Sequence, residues 1–161
     1  MTTVQGRVTG LQRSAGGVPK LPVDRVIVGA AGMEGDMQRD RRFHGGPDRA
    51  LCLYSQERLD ALVAEGHPVR PGVLGENVTI FGLPWDEVRP GVRLRIGAVD
   101  AVVTAFASPC KNIAGGFLDG EITRVGQKVN PGWSRVYVRV LSEGPIAVGD
   151  PVVLNSANAG Q

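Results

Sequence analysis

Glycine and proline interrupt this chain too often for a helical bundle. Of its 161 residues, 23 are Gly and 11 are Pro, more than a fifth of the whole, scattered without period or low complexity. Proline lacks the amide donor that a helix or ladder needs, and glycine weakens both kinds of element. Such punctuation favours many short strands joined by tight turns. The length suits one domain with a real core. We expect a single domain over residues 1–155, with the polar stretch 156–161 a frayed tail.

Period-two alternation marks the strands. Residues 3–11 form a first strand, residues 22–28 a weaker second, and residues 50–54 a short apolar one. Residues 77–81 follow. Residues 92–96 alternate apolar side chains with Arg and turn through Gly97-Ala98 into 99–106, which predicts a hairpin. Residues 135–141 place Val136, Val138 and Val140 on one face and Arg135, Tyr137 and Arg139 on the other. Residues 151–154 make a last strand. Ser55 reads as an N-cap for a helix over 56–65, with Leu59, Leu62 and Val63 at helical spacing and Gly66 as the stop. Trp85 and Trp133 look like aromatics that anchor turns. The fold class is mainly β, a barrel-like domain with few helices.

The formal net charge of +2 gives no footprint for nucleic acid or a membrane surface. No stretch approaches the ~20 consecutive apolar residues of a spanning helix, and the first residues lack a charged-then-apolar signal pattern. A cytoplasmic protein is expected. Two cysteines 58 positions apart make neither a disulfide framework nor a Cys-x-x-Cys site.

Those two cysteines differ in setting. Cys52 lies inside the apolar run Ala50-Leu51-Cys52-Leu53-Tyr54 and reads as core. Cys110 follows a strand, on a Pro-set turn in Ser108-Pro109-Cys110, with Lys111 next to it. A neighbouring cation favours thiolate, the form that attacks electrophiles and binds metals. The alternative is a loop cysteine with no role.

A second candidate region runs from Gly35 to Arg49, where three Asp and four Arg fall within fourteen positions. Solvated ion pairs stiffening a loop would explain it. So would an anion site: arginine forks suit phosphate or carboxylate oxygens, and Gly45-Gly46 lets backbone amides approach a ligand. His44 reads as a packed histidine or a general acid–base group. A third region, Gly75-Glu76-Asn77, sets a carboxylate and an amide just before a strand. Asn77 would bond its own backbone or meet a heterocycle edge, and Glu76 would pair with an arginine of the preceding loop.

Together, Asp36…Asp40…His44-Gly45-Gly46-Pro47-Asp48-Arg49-Ala50, then Gly75-Glu76-Asn77, then Ser108-Pro109-Cys110 closely resemble the MOSC family, the C-terminal domain of molybdenum cofactor sulfurases. The likeness spans residues 35–154 and points to the short stand-alone members. It implies a β-barrel with a few short flanking helices. It also implies that Cys110 either ligates molybdenum held by a pterin dithiolene or carries sulfur as a persulfide. On that basis the cofactor-binding set is Arg39, Arg41, Arg42, His44, Gly45, Gly46, Asp48, Arg49, Glu76, Asn77, Ser108 and Lys111, with Cys110 as catalytic residue and metal ligand. The arginines would meet the pterin phosphate, a role assigned from their chemistry and not from the family. The expected cofactor is molybdopterin. Pyridoxal phosphate, which serves a desulfurase domain fused to some members, is not expected in so short a chain. The leading function is reduction of N-hydroxylated small molecules with electrons from separate donor proteins. A sulfur carrier fed by a cysteine desulfurase is the alternative, and a non-catalytic barrel that binds an anion or a partner is the third.

Overall fold

The computed structural model describes residues 3–36 and 47–155. Eleven strands are present there: β1 (Thr3–Arg13), β2 (Leu21–Val23), β3 (Arg25–Gly29), β4 (Gly32–Met33), β5 (Leu51–Ser55), β6 (Val78–Phe81), β7 (Arg93–Ile96), β8 (Val99–Phe106), β9 (Val136–Ser142), β10 (Gly144–Ala147) and β11 (Pro151–Asn155). One α-helix, α1 (Gln56–Ala64), and four short 3-10 helices complete the described elements. Seven strands form a closed barrel in the order β11-β7-β8-β9-β5-β6-β1, and β1 pairs back with β11. Closure removes the open edges that a flat sheet would expose. β2 adds to the far half of β1, while β10, β3 and β4 form a separate small sheet.

Alternation drives this arrangement. In β7, Leu94 and Ile96 are buried while Arg93 and Arg95 are exposed. Strand β5 is buried at every position. It forms a parallel pair with β6, matching Leu53 with Val78. A parallel pair cannot be closed by a tight turn, and α1 supplies the crossover. Ser55 caps α1 by accepting a hydrogen bond from Arg58 N at 3.1 Å. Leu59 and Leu62 face the core, while Val63 is 53% exposed, so the apolar stripe is narrower than its spacing predicts. Gly66 ends the helix in a left-handed conformation, φ +96°.

Tyr54 and Trp85, both buried, pack edge to face with centroids 6.0 Å apart. Each polar tip finds a carbonyl: Tyr54 Oη donates to Trp133 O and Trp85 Nε1 to Ser134 O. Trp133 itself meets the Arg58 and Arg124 guanidinium groups, 4.5 Å and 3.9 Å from its ring.

Three expectations need correction. The second strand is two strands in two sheets: β2 pairs with β1 and β3 pairs with β10. Gly32–Met33, absent from the expected strands, is a strand beside β3, and within the Gly35–Arg49 loop Pro47–Arg49 is a 3-10 turn. The strand β10 is absent from the expected set, because Gly144-Pro145 has the composition of a turn. The tail 156–161 lies outside the described residues. Among the described residues no helix is long and apolar enough to cross a membrane.

Candidate functional site

Cys110 stands where the chain leaves the sheet. The ladder of β8 continues one step past Phe106, with Ala107 N donating to Arg135 O at 2.9 Å. Ser108 and Pro109 then turn outward, and Cys110 starts the 3-10 helix Lys111–Gly116, its carbonyl accepting from Ile113 N at 3.1 Å. The thiol is free and half-buried. It lines a cavity of about 50 Å³ together with Val18, Lys20, Cys52, Leu74, Arg135 and Tyr137, among others.

This cavity lies against the outer wall of the barrel. Val136 and Val138 of β9 belong to the main core, whereas Tyr137, with Cys52 and Ala107, forms a small separate cluster. Cys52 pairs with Tyr137 across β5 and β9, which brings the two side chains to one face. Burial pushes the Cys52 thiol up to about 11, against the opposing pull of Arg135 and Lys20. Burial also raises the Tyr137 hydroxyl well above its ordinary value.

Two buried cations border the cavity. Lys20 is 3% exposed and pairs with Asp36 at 2.8 Å. Asp36 is a hub, because it also accepts from Ser14 N at 2.9 Å and from Asn77 Nδ2 at 3.0 Å. Arg135 is 4% exposed. Its Nη1 donates to Leu74 O at 2.8 Å, and its Nη2 reaches Ala107 O at 3.5 Å and Ser108 O at 3.4 Å. Among the described residues its Nε has no partner, and neither has Glu76 Oε2. Glu76 is fully buried and accepts from Gly72 N at 2.9 Å. Burial lifts its carboxyl to about 7, opposed by backbone donors and by Arg135.

The residues marked from sequence fall into distinct places. Arg39, Asp40, Arg41, Arg42, His44, Gly45 and Gly46 lie outside the described residues. Asp48 is exposed and bridges to Arg139 Nε at 3.0 Å, and its carbonyl accepts from Thr104 Oγ1. Arg49 sits over the Tyr137 ring at 5.4 Å and so flanks the cavity wall. Ser108 and Lys111 are exposed, and Lys111 does not line the cavity. Among the described residues, the cations that share the cavity with Cys110 are Lys20 and Arg135, neither of which the sequence motifs mark. Glu76 and Asn77 have no exposed surface. Asn77 spends both ends of its amide inside the protein, on Cys52 N and on Gln12 O and Asp36. The reading of Asn77 as bonded to its own backbone is replaced by these longer-range bonds. Its side chain holds Asp36, and through Asp36 it holds Lys20. Glu76 likewise bonds Gly72 of its own turn. Cys52, read as core, forms part of the cavity wall.

A small closed barrel with a half-exposed thiol in a cation-lined recess outside its wall defines the class of protein. Residues 40–153 match the MOSC domain, and the chain belongs to that family. It is 32% identical over 135 residues to YflK of Bacillus subtilis (strain 168), an uncharacterized protein, covering 83% of this chain and 60% of that one. It is 30% identical over 146 residues to the protein YiiM of Escherichia coli (strain K12), covering 86% of this chain and 63% of that one. This chain thus spans somewhat under two thirds of the length of both. The crystal structure of YiiM from Geobacillus stearothermophilus superposes with a TM-score of 0.65 at 28% identity, covering 93% of this chain and 73% of that one.

Proposed function

We propose that this chain is a molybdenum-cofactor protein in which the Cys110 thiolate is the protein's ligand to molybdenum, and that it reduces N-hydroxylated compounds. The observation that carries this reading is the placement of a half-buried free thiol on a cavity that two buried cations also line. The donor set fits such a group. Thiolate is a soft ligand suited to a sulfur-rich metal centre. Among the described residues no cluster of three or more His, Cys, Asp or Glu side chains is placed to hold a bare ion. A metal at Cys110 would bring its other ligands with it, as a pterin dithiolene does.

The cofactor would supply the two-electron redox chemistry. The chain's own residues bind and orient. Cys110 anchors, Lys20 and Arg135 meet negative charge, and Arg49 extends the positive rim beside Tyr137. Asp36 and Asn77 fix Lys20 from behind. Electrons would arrive from separate donor proteins, and the setting is the cytoplasm. The test is metal and pterin content after expression in a cofactor-competent host. Wild type should carry both and Cys110→Ser should lose molybdenum. Wild type without molybdenum, beside a loaded positive control, defeats the reading.

A second reading, a sulfur carrier, is favoured by the same free thiol beside cations, since a Cys110 persulfide would be anionic. Incubation with a cysteine desulfurase and its substrate should add sulfur to Cys110, as seen by mass spectrometry. An adduct found on neither cysteine, or on Cys52 alone, removes this reading.

A further inference from the structure

The outer wall of the barrel has two faces of different character. At β5 and the start of β9 it is covered, and β5 is buried at every position. Across β1, β11, β7, β8 and the end of β9 its outward side chains stand in the open, with Arg7, Arg93, Arg95, Arg139 and Leu141 all exposed. The register sets them in rungs: Thr3, Asn155, Arg93, Val102 and Arg139 follow one another across five strands. Arg93 and Arg139 are therefore two strand spacings apart, about 10 Å. The outward strand positions of this face carry four arginines and one carboxylate, Asp100, which bridges to Arg95 at 2.9 Å. Asp48, from the 3-10 turn, bridges to Arg139. Leu141 is 45% exposed and lines a groove of about 390 Å³ here with Arg93, Arg95 and Val153. Arginine around exposed apolar side chains is the composition of a protein interface.

This face begins at the wall of the cavity. Tyr137, which lines the cavity, and Arg139 lie two residues apart on one side of β9, about 7 Å along the strand. Arg49, over the Tyr137 ring, continues the positive charge between them. We propose that the exposed face of β1, β11, β7, β8 and β9 is the docking surface for an acidic electron-carrier protein. The inference deepens the proposed function and rests on it for the partner's role. Reduction of an N-hydroxyl group to N–H consumes two electrons and two protons and releases water, so a carrier must dock, give up the electrons and leave oxidised. Charge selects an acidic partner, because complementary potentials steer encounter and fix register. A second copy of this chain, meeting this face with its own, would set arginines against arginines. Nucleic acid is disfavoured, since Asp48 and Asp100 stand among the arginines and Leu141 has no use for a phosphate backbone.

The test uses this protein made in a host without the molybdenum cofactor, labelled with ¹⁵N and titrated with three purified probes. Two are acidic carriers, a flavodoxin and a ferredoxin, and the third is a basic carrier, a cytochrome c. At least one acidic carrier should bind with a micromolar dissociation constant at low salt and shift the backbone amides of Arg93, Arg95 and Arg139. Its affinity should fall at least tenfold on moving to high salt. Arg93→Glu with Arg139→Glu should weaken binding at least tenfold, whereas Arg70→Glu, at an exposed residue beyond α1, should not. If the double variant does not fold, the map of shifted amides in wild type decides. Binding by neither acidic carrier, shifts confined to other faces, or equal binding of cytochrome c overturns the proposal. So does a DNA duplex that binds as tightly, or a dimer in sedimentation that the double variant abolishes. Docking is read without molybdenum, so its failure and the absence of metal from protein made in a competent host are separate results.

Discussion

Cys52 and Asn77 grip one another through two hydrogen bonds between neighbouring strands. Asn77 Oδ1 accepts from Cys52 N at 3.0 Å, and Cys52 O accepts from Asn77 N at 2.7 Å. The parallel junction of β5 and β6 thus begins on a side-chain amide, and the same amide reaches on to Asp36 and so to Lys20 at the cavity. A residue with no exposed surface links the barrel wall to the site.

Truncating that amide should be expensive. Asn77→Ala leaves Cys52 N and Gln12 O without their side-chain partner, and a buried polar group left unsatisfied costs about 1–3 kcal/mol. We expect a loss of roughly 3 kcal/mol in urea unfolding. A loss below about 1 kcal/mol would show that the network is not what holds the junction.

The Lys20–Asp36 pair should behave as a buried pair. Lys20→Met strands a carboxylate that is 5% exposed, and breaking such a pair typically costs about 3–5 kcal/mol. A double-mutant cycle with Asp36→Asn should show strong coupling, because the second change removes the stranded charge. Additive effects in that cycle contradict the pairing.

Glu76 sets a pH trend with a definite sign. Its carboxyl rises from 4.5 to about 7 on folding, so the folded state binds the extra proton. Stability from this group is therefore full below about pH 4.5, falls as pH rises to about 7, and is flat above. A tenfold change in proton affinity is worth about 1.4 kcal/mol, so the total is of order 3 kcal/mol. Glu76→Gln should flatten this part of the profile relative to wild type. Parallel profiles for the two proteins speak against the assignment.

The two thiols should label very differently under native conditions. A rise from 9.0 to about 11 lowers the Cys52 thiolate fraction about a hundredfold, and its side chain is buried as well. Cys110 should be alkylated first and Cys52 only on unfolding, as peptide mass spectrometry would report. Cys110→Ser should leave the fold intact and abolish native labelling. Comparable labelling of both sites in the native protein refutes the assigned placement.

Much of the barrel is legible in the sequence because short-range rules govern it. The Leu94/Ile96 against Arg93/Arg95 alternation gives β7 its buried face, and the Gly97 turn gives the hairpin. Ser55 and Gly66 mark the two ends of α1. The site is legible at Cys110 and not at its neighbours. Alternation separates Arg135 and Tyr137 from the valines, but it does not reveal that the outward face of β9 is covered again by the segments bearing Lys20 and Cys110. The Asp36–Asn77 contact spans 41 positions, beyond any local pattern. β10 is hidden by a Gly-Pro pair that elsewhere signals a turn.

The closing seam of the barrel has a mechanical consequence. β1 and β11 run antiparallel with Thr3 opposite Asn155 and Arg7 opposite Pro151, so both chain directions leave from one end of this ladder. A load applied through residues 3 and 155 meets the rungs singly and in turn, as tension opens a zip. The domain would therefore yield at low force along this line, however well its interior is packed.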